Sequence, residues 1–328
     1  MDEGERHAEL AGRIMGFMVS QGVYVAAKLG IADLLADGPR PATELAGAAG
    51  ANGDALYRLL RLLAAYGIFV EQPAARFANS GLSELLREGE GFREFALVFG
   101  EEFYPAFGEL LRGVETGQPA FDAVFGARYE EHLAANPEAS ARFNRFMAGG
   151  KDALAEVLAG GQWRGDETVV DVGGGNGALL AALLPRVPGL RGIVFDLPHV
   201  AAEAEERIGA AGLADRCEVV GGSFFDGVPE GDVYVLSHIL HGVDRDGALE
   251  ILRVVRRAIR DGGRLLAVDG VVAPPNEPGH KLMDLLMFTI GGRERTEAEW
   301  RALLIGGGFE LTDIGPGPFG SILSARPA

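Results

Sequence analysis

From about residue 166, short apolar segments alternate with helical segments, and this alternation constrains the fold more than any other feature of the chain. The apolar segments are continuous, which is typical of strands that are buried on both faces of a sheet. The predicted strands are Thr168 to Val172, Gly192 to Phe195, Cys217 to Val220, Val233 to Leu236 and Arg264 to Asp269. The predicted helices between them are Ala178 to Leu184, Val200 to Ala211 and Gly247 to Arg260. The C-terminal half is therefore predicted to be an α/β domain with a Rossmann-like, doubly wound parallel sheet.

A glycine-rich turn follows the first of these strands, in the segment Val169 to Gly177. Ligands of open α/β sheets bind at the carboxyl ends of the strands, and glycines let a ligand approach the backbone closely. Gly173, Gly175 and Ala178 satisfy the dinucleotide-binding pattern. Asp196 follows about 20 residues later, where a carboxylate can accept hydrogen bonds from both ribose hydroxyls. These residues alone fit NAD and S-adenosylmethionine equally well.

Two further residues favour S-adenosylmethionine over NAD. Asp171 precedes the first glycine, at a position where dehydrogenases usually carry an apolar residue, and Gly177 changes the spacing to G-x-G-x-G. A carboxylate suits a ligand whose amino-acid end carries an ammonium beside a sulfonium, whereas it would repel a pyrophosphate. The predicted cofactor is therefore S-adenosylmethionine, with S-adenosylhomocysteine as its product.

The N-terminal region is predicted to contain short helices followed by a small hairpin, which is the winged-helix pattern. Four leucines recur at the spacing of one apolar helix face: Leu56, Leu59, Leu60 and Leu63. Gly67 can end that helix, and short strands follow at Ile68 to Val70 and Arg76 to Ala78. Residues 1–100 hold nine Lys and Arg against 13 Asp and Glu, a net charge of −4, which is the wrong sign for binding phosphate. The region is therefore predicted to serve packing or dimerisation rather than DNA binding.

The composition of the whole chain excludes several classes of protein. Its 328 residues carry a formal net charge of −17, which repels nucleic acid. The longest uncharged runs have 14 residues, fewer than the roughly 18 needed to cross a bilayer. Cys217 has no other cysteine to pair with, and the N-terminus is acidic rather than basic as in a signal peptide. We predict a cytoplasmic protein that binds neither nucleic acid nor membranes.

Half of the 18 phenylalanines lie between residues 92 and 146, several of them at helical spacing. Most are expected to form a buried helix face. So many rings in one segment could also line a pocket for a flat, apolar ligand. The apolar side chains of Met283, Met287 and Phe288 favour the same kind of substrate, but methionines adapt to many shapes, so the sequence does not predict which substrate it is.

Six segments occur in an order that resembles the S-adenosylmethionine-dependent O-methyltransferases of the caffeate and hydroxyneurosporene type. The segments are Val169 to Gly177, Asp196 to Pro198, Gly222 to Phe225, Leu236 to His241, Gly262 to Leu266 and Gly292 to Thr296. The segment from Tyr24 to Ile31 resembles the dimerisation domain of that family, so the resemblance covers nearly the whole chain. It implies a homodimer with three parts: a winged-helix dimerisation domain at 1–90, a helical connector lining the substrate pocket at 91–160, and a cofactor-binding catalytic domain at 161–328.

The resemblance also implies which residues bind the ligands. Gly173 would lie against the cofactor beside Gly175, and Asp196 would hold the ribose. Ser223 and Phe224 would flank the adenine, although the family often has Asp at the position of Ser223. Ser237 would contact the amino-acid end of the cofactor, near Asp171. The expected substrate-lining residues are Phe143, Met147, Met283 and Met287.

His241 matches the catalytic base of the family, and Asp269 and Glu294 match the two acidic residues that flank it. Histidine can accept a proton near neutral pH, and a carboxylate on one ring nitrogen fixes the tautomer. The family usually reads His-Asp-Trp at the base, whereas this chain reads His-Gly-Val at 241–243. A metal held by His238, His241 and Asp244 is conceivable, but the family needs none and no metal is predicted.

The sequence therefore predicts an enzyme that methylates a phenolic or similar hydroxyl of a small aromatic natural product. Three alternatives stay open. The altered surroundings of His241 are compatible with a same-fold enzyme that hydroxylates, decarboxylates or cyclises its substrate. The winged helix is compatible with a transcriptional regulator, and the glycine turn with an NAD oxidoreductase.

Overall fold

A computed structural model describes all residues, 1–328, and divides them into two compact units. The N-terminal unit comprises Met1–Pro105 with Asn136–Phe146, and the C-terminal unit comprises Ala106–Ala135 with Met147–Ala328. The residues of the predicted connector, 91–160, are thus distributed over both units. The three-part division of the sequence analysis stays a prediction.

The N-terminal unit is mainly helical and contains a small antiparallel sheet with the strand order β1-β3-β2. Its helices are α1 (Glu3–Lys28), α2 (Ile31–Leu34), α3 (Ala42–Ala49), α4 (Gly53–Ala65), α5 (Gly81–Glu84) and α6 (Phe92–Val98). Its strands are β1 (Arg40–Pro41), β2 (Phe69–Gln72) and β3 (Arg76–Asn79). On α4, Leu56, Leu60 and Leu63 are buried, as the leucine spacing predicts. Helices followed by a small hairpin confirm the winged-helix pattern.

Helix α1 leaves a row of apolar side chains exposed between residues 10 and 18. The exposed residues are Leu10, Ile14, Met15, Phe17 and Met18. By length and composition alone α1 could cross a membrane, since its most apolar window has a mean hydropathy of 1.2. The mostly buried core helices of soluble proteins and signal sequences near the N-terminus pass the same test, and 17% of this window is buried. The row therefore marks a surface on which a further apolar surface can pack.

A π-helical turn (Phe99–Phe103) follows α6 and carries part of a partly buried ionic network of the N-terminal unit. The ring of Tyr24 packs directly on Gly100, where no larger residue fits. Arg142, which is 7% exposed, forms ion pairs of 2.7 Å with Glu102 and 3.1 Å with Glu101. Lys28 also pairs with Glu101, at 2.6 Å. The network joins α1, the π-helical turn and the helix that carries Arg142.

Further helices connect this turn to the large sheet. They are α7 (Tyr104–Gly108), α8 (Leu110–Thr116), α9 (Ala120–Phe125), α10 (Tyr129–Ala135), α11 (Pro137–Ala148) and α12 (Lys151–Ala159). Of the nine phenylalanines between residues 92 and 146, two are buried, six are partly buried and one is exposed, so most of them do not form the fully buried helix face that was expected. Phe103 and Phe121 are buried, and Phe95 stacks on Phe146 with ring centroids 5.3 Å apart, whereas Phe92 is exposed.

The C-terminal unit is built around a seven-stranded sheet with the strand order β6-β5-β4-β7-β8-β10-β9. Its strands are β4 (Thr168–Val172), β5 (Arg191–Asp196), β6 (Cys217–Gly221), β7 (Gly231–Ser237), β8 (Ile259–Asp269), β9 (Phe309–Gly317) and β10 (Gly320–Pro327). Its remaining helices are α13 (Ala178–Arg186), α14 (Pro198–Ala210), α15 (Arg245–Ala258), α16 (Lys281–Ile290) and α17 (Glu297–Gly306), with a 3₁₀ turn (Leu240–Gly242) after β7.

Five neighbouring strands of this sheet, β6-β5-β4-β7-β8, are parallel. The doubly wound prediction is therefore confirmed, and each predicted strand falls within an observed one. The antiparallel hairpin of β9 and β10, which extends the sheet beside β8, was not predicted from the sequence. The chain order reverses between β4 and β7, and this is the switch point at which such sheets bind ligands.

Candidate active site

The carboxyl ends of the parallel strands gather polar side chains at one edge of the sheet. Asp171 lies near the end of β4, Asp196 ends β5, Ser237 ends β7 and Asp269 ends β8. Asp171, Ser237 and Asp269 are buried, at 2%, 4% and 0% exposure. The structure thus brings together residues that are up to about a hundred positions apart in the chain, because parallel strands end at the same edge.

The glycine turn after β4 has a backbone conformation that favours glycine. Gly173, Gly175 and Gly177 have φ angles of 68°, 57° and 75°. A side chain at Gly173 would collide with Ile239, whereas nothing lies within 4 Å of the space beside Gly175. The turn therefore leaves open backbone surface at the switch point, as a cofactor cradle requires.

Asp196 is oriented by the backbone of this turn. Its Oδ2 accepts a hydrogen bond of 2.7 Å from the Gly175 amide, and its Oδ1 accepts one of 2.6 Å from the Leu197 amide. Burial raises the pKa of the Asp196 carboxyl, and the two amide hydrogen bonds oppose that shift. The carboxylate is thereby fixed beside the turn, where it can accept hydrogen bonds from a ribose.

A lysine that the sequence analysis did not single out reaches the same edge of the sheet. The Nζ of Lys151, at the start of α12, donates a hydrogen bond of 2.8 Å to the Oγ of Ser237. The carboxylate of Asp171 makes no hydrogen bond within the chain, and burial raises its pKa to about 6, against the opposing effect of Lys151. The one sequence feature that could have identified Lys151 as a site residue is its position, four residues after the Phe143 to Met147 motif.

His241 is held in place by backbone contacts rather than by an aromatic neighbour. Its carbonyl accepts a hydrogen bond of 2.8 Å from the Arg293 amide, and it packs so closely on Gly292 that no side chain fits there. The buried Arg295 donates to the carbonyl of Leu240 at 2.7 Å and to that of Val243 at 3.4 Å. The loop that reads His-Gly-Val is therefore anchored without the usual Asp-Trp pair.

The imidazole of His241 contacts both carboxylates that the resemblance implied. Its Nδ1 lies 2.8 Å from Oε1 of Glu294 and 3.5 Å from Oδ1 of Asp269. Both carboxylates are buried, and neither oxygen of Asp269 has a hydrogen-bond partner. With Nδ1 directed at the carboxylates, Nε2 is the ring nitrogen left for a substrate.

These contacts affect the pKa values of His241 and Asp269. Burial favours a neutral His241, but the Asp269 charge and the Glu294 hydrogen bond outweigh it and raise the pKa of the imidazole. Burial also raises the pKa of Asp269 to about 7, although His241 opposes that shift. Because the groups are coupled, their titrations belong to the cluster as a whole. The cluster is suited to holding a proton near neutral pH.

His238 and Asp244 do not join His241 in a metal site. His238 adopts a left-handed conformation with φ of 60°, and burial lowers its pKa to about 3. Asp244 is exposed and caps α15 by accepting a hydrogen bond of 2.8 Å from the Gly247 amide. No group of three or more His, Cys, Asp or Glu side chains is arranged to hold a metal ion.

The other predicted residues lie on three further segments. Ser223 and Phe224 follow β6, where the Oγ of Ser223 accepts a hydrogen bond of 3.3 Å from the Phe225 amide and Phe224 is partly buried. Met283 and Met287 lie on α16, and Met287 is buried. Phe143 and Met147 lie on α11, in the N-terminal and the C-terminal unit respectively.

Comparison with known proteins identifies the family. The O-methyltransferase domain model matches residues 107–310, and the O-methyltransferase dimerisation domain model matches residues 13–89. The chain is 44% identical to the phenazine O-methyltransferase of Lysobacter antibioticus, over 96% of this chain and 94% of that one. It is 34% identical to the phenazine-1-carboxylate N-methyltransferase of Pseudomonas aeruginosa, over 92% of this chain and 91% of that one.

One solved structure resembles this chain in both fold and sequence. It is an O-methyltransferase of neocarzinostatin biosynthesis, in complex with S-adenosyl-L-homocysteine and 1,4-dihydroxy-2-naphthoic acid. The TM-score is 0.83 at 36% identity, covering 95% of this chain and 96% of that one. The chain therefore belongs to the O-methyltransferase family, and it is an enzyme that uses S-adenosylmethionine to methylate small aromatic natural products.

Proposed function

We propose that this enzyme methylates a phenolic hydroxyl and that His241 is its general base, positioned by Glu294 and Asp269. The observation that carries the proposal is the contact of the buried His241 Nδ1 with Glu294 at 2.8 Å and with Asp269 at 3.5 Å. A histidine with two carboxylates on one nitrogen is oriented to accept a proton on the other nitrogen. The same carboxylates stabilise the imidazolium that forms.

A base is needed because a phenol, with a pKa of about 10, is mostly protonated at neutral pH and is then a poor nucleophile. Bound S-adenosylmethionine supplies a methyl group on a sulfonium, which is already a strong electrophile. The protein therefore has to remove one proton and align the reacting atoms. In our proposal, Nε2 of His241 takes the hydroxyl proton.

The cofactor is proposed to bind at the glycine turn and the neighbouring strand ends. The fit is supported by the open backbone at Gly175, by the fixed carboxylate of Asp196 and by the buried carboxylate of Asp171, which has no hydrogen bond within the chain. The proposed cofactor residues are Asp171, Gly173, Gly175, Asp196, Ser223, Phe224 and Ser237. The proposed substrate residues are Phe143, Met147, Met283 and Met287.

The substrate is proposed to be a flat, fused aromatic that carries a hydroxyl. The names of the relatives support this class, since they include a phenazine O-methyltransferase and an enzyme bound to a dihydroxynaphthoic acid. We further propose a cytoplasmic homodimer, supported by the match to the dimerisation domain and by the exposed apolar row of α1. No nucleic acid or membrane partner is part of the proposal.

The test is methyl transfer from labelled S-adenosylmethionine to hydroxyphenazines and dihydroxynaphthoates. The matched controls are the same ring systems with each hydroxyl already methylated. Label in the phenols and none in the controls is expected. Product that forms without label would instead favour a same-fold enzyme with another chemistry.

Methylation of a ring nitrogen is the second candidate, because one relative is an N-methyltransferase. A ring nitrogen with a free lone pair needs no base, so a buried histidine with two carboxylates favours oxygen as the acceptor. The two candidates are separated by His241→Asn. This variant should lose methyl transfer to a phenol and keep transfer to a ring nitrogen.

Replacing Asp196 with Ala is expected to weaken S-adenosylmethionine binding by about 1.5–3 kcal/mol, the range for a hydrogen bond to a charged group. Calorimetry measures the change, and circular dichroism should show an intact fold. The matched control is Asp215→Ala, which removes an equally charged but exposed side chain. A binding constant unchanged in Asp196→Ala would show that the ribose is not held there.

Replacing Cys217 with Ser is expected to leave most of the activity and to lower the free energy of unfolding by about 1–3 kcal/mol, because a hydroxyl is buried without a good partner. The thiol is 5% exposed, and burial raises its pKa to about 12, so it is not a nucleophile at neutral pH. Steady-state kinetics and denaturant titration check both parts. Near-complete inactivation of a folded variant would contradict the expectation.

A further inference from the structure

Arg295 joins the turn that carries His241 to the segment that follows β8. Arg295 is 3% exposed, and its guanidinium donates hydrogen bonds to carbonyls on either side of His241, that of Leu240 at 2.7 Å and that of Val243 at 3.4 Å. Its own carbonyl accepts a hydrogen bond of 2.9 Å from the Val272 amide, just after β8. Side chain and backbone of Arg295 are therefore both fixed at the carboxyl ends of the strands.

The guanidinium is a buried charge without a carboxylate in direct contact. Arg295 forms no ion pair, and the acceptors of its hydrogen bonds are neutral backbone carbonyls. Its Cζ lies over the ring of the buried Trp300, 5.2 Å from the centroid. Burial lowers the pKa of Arg295, whereas the charges of Asp269 and Glu294 oppose that shift. Since arginine stays protonated in proteins, its positive charge acts on these two carboxylates.

The charges of the buried cluster show what Arg295 does for His241. With a neutral imidazole, the carboxylates of Asp269 and Glu294 and the guanidinium of Arg295 leave one net negative charge, and one bound proton makes the cluster neutral. Without Arg295 the protonated cluster would still be negative, so it would hold the proton more strongly. In agreement, burial lowers the pKa of His241, the two carboxylates raise it, and the charge of Arg295 lowers it.

Other titratable groups lie around the turn, which follows β7 and packs against β8 and α16. The ring of His238 is 5.5 Å from that of His241, and burial lowers the pKa of His238 to about 3, so it stays uncharged. The remaining groups are Lys151, His280, Lys281, Asp284 and Arg293. Among the cations, Arg295 alone has a side chain that hydrogen-bonds to the turn.

We propose that Arg295 is a positioning residue for the base: it holds the turn that carries His241, and its charge offsets one of the two buried carboxylates, so that His241 is free to accept the proton of the substrate. This inference rests on the role of His241 proposed above. It assigns two separable actions to Arg295. The hydrogen bonds orient the imidazole, and the charge sets the pH range in which the imidazole is unprotonated.

Two substitutions of Arg295 separate these actions. Arg295→Lys keeps the charge but loses the planar set of donors, whereas Arg295→Gln loses the charge and keeps a donor. If Arg295→Gln does not fold, Arg295→Met takes its place, because an apolar side chain of similar length can replace a buried charge. The matched control is Arg301→Met, which removes an arginine charge from α17, where the side chain is 51% exposed.

Two properties of each protein are measured as a function of pH. Single-turnover methyl transfer from labelled S-adenosylmethionine to a phenol gives the plateau rate and the midpoint of its rise. Nitrogen-15 NMR of labelled histidine, with His241→Asn to assign the signal, gives the protonation midpoint of His241. The NMR midpoint does not depend on activity.

In Arg295→Gln both midpoints are expected to rise by about one pH unit, because a positive charge near the imidazolium is lost. In Arg295→Lys both midpoints should stay within about 0.3 pH unit of the wild type, while the plateau rate falls about tenfold or more, because the turn is held less well. The control should match the wild type in rate and midpoints.

Three outcomes would overturn the inference. Unchanged midpoints in Arg295→Gln would mean that Arg295 only supports the fold, and an equal rise in Arg295→Lys would mean that its charge is not the cause. In both cases the proposed base would stand if His241→Asn loses the rate at pH 7. A His241→Asn variant that keeps this rate would instead overturn the proposed base together with the inference.

Discussion

Replacing His241 with Asn is expected to lower the rate of methyl transfer to a phenol at pH 7 by about 10²- to 10⁴-fold, the usual contribution of general acid–base catalysis. Asn keeps a polar side chain of moderate size but cannot accept the proton. Cofactor affinity should change little, because the proposed cofactor residues do not include His241. Single-turnover kinetics with labelled S-adenosylmethionine, together with calorimetry, measures the two quantities separately.

The change of the methyl-transfer rate with pH provides a second test of this prediction. The base is active as neutral imidazole, and its pKa is raised by Asp269 and Glu294, against the effect of burial. The wild-type rate should therefore rise with pH, with a midpoint above the ordinary histidine value of about 6.5. The variant should lack this rise around the pKa of the histidine. Its rate should approach the wild-type rate near pH 10, where the phenol ionises without a base.

His7→Asn is the matched control, since it makes the same exchange at an exposed position of α1, and it should retain the wild-type rate. If the His241 variant kept the wild-type rate at pH 7, either His238 would be the general base or alignment of the reacting atoms alone would suffice for catalysis. A loss that stays constant up to pH 10 would assign His241 an orienting role.

Replacing Arg142 with Met is expected to destabilise the N-terminal unit by about 3–5 kcal/mol, because the change removes the guanidinium that pairs with the buried carboxylate of Glu102. Arg142 is 7% exposed, and Glu102, its partner at 2.7 Å, is 1% exposed. Hydrogen exchange of α1 and of the π-helical turn measures the loss within this unit, where a single melting temperature would average over both units.

The neighbouring Arg145→Met is the matched control on the same helix. Its guanidinium pairs with Glu94 at 3.0 Å, but the arginine side chain is 56% exposed. The expected loss is therefore at most about 1 kcal/mol. The double variant Arg142→Met with Glu102→Gln should be more stable than Arg142→Met alone, because it removes the buried charge as well. Equal losses in Arg142→Met and Arg145→Met would refute the role of burial.

Local patterns in the sequence determined much of the fold. The strands predicted at Thr168 to Val172 and Val233 to Leu236 lie within β4 and β7, because a strand buried on both faces needs a continuous apolar run. The glycine turn was identifiable, because positive φ angles such as 68° at Gly173 favour glycine. The hairpin of β9 and β10 was missed, because its residues carry no comparable run.

Some residues of the candidate site could also be predicted from the sequence. His241, Asp269 and Glu294 were named from motifs that lie far apart in the chain, and their distances of 2.8 and 3.5 Å come only from the structure. A motif fixes the order of residues along the chain, whereas contacts depend on which strand ends become neighbours in the sheet.

The contacts that hold the site residues in place depend on the tertiary structure alone. No sequence rule places Lys151 on Ser237, 86 residues away, since that contact depends on how α12 begins against Phe319 and on where β7 ends. Likewise, the sequence showed that the usual Asp-Trp pair after His241 is absent, but not that Arg295 anchors the loop through the carbonyl of Leu240. Local propensity acts over a few residues, whereas these contacts form between segments that only the folded sheet brings together.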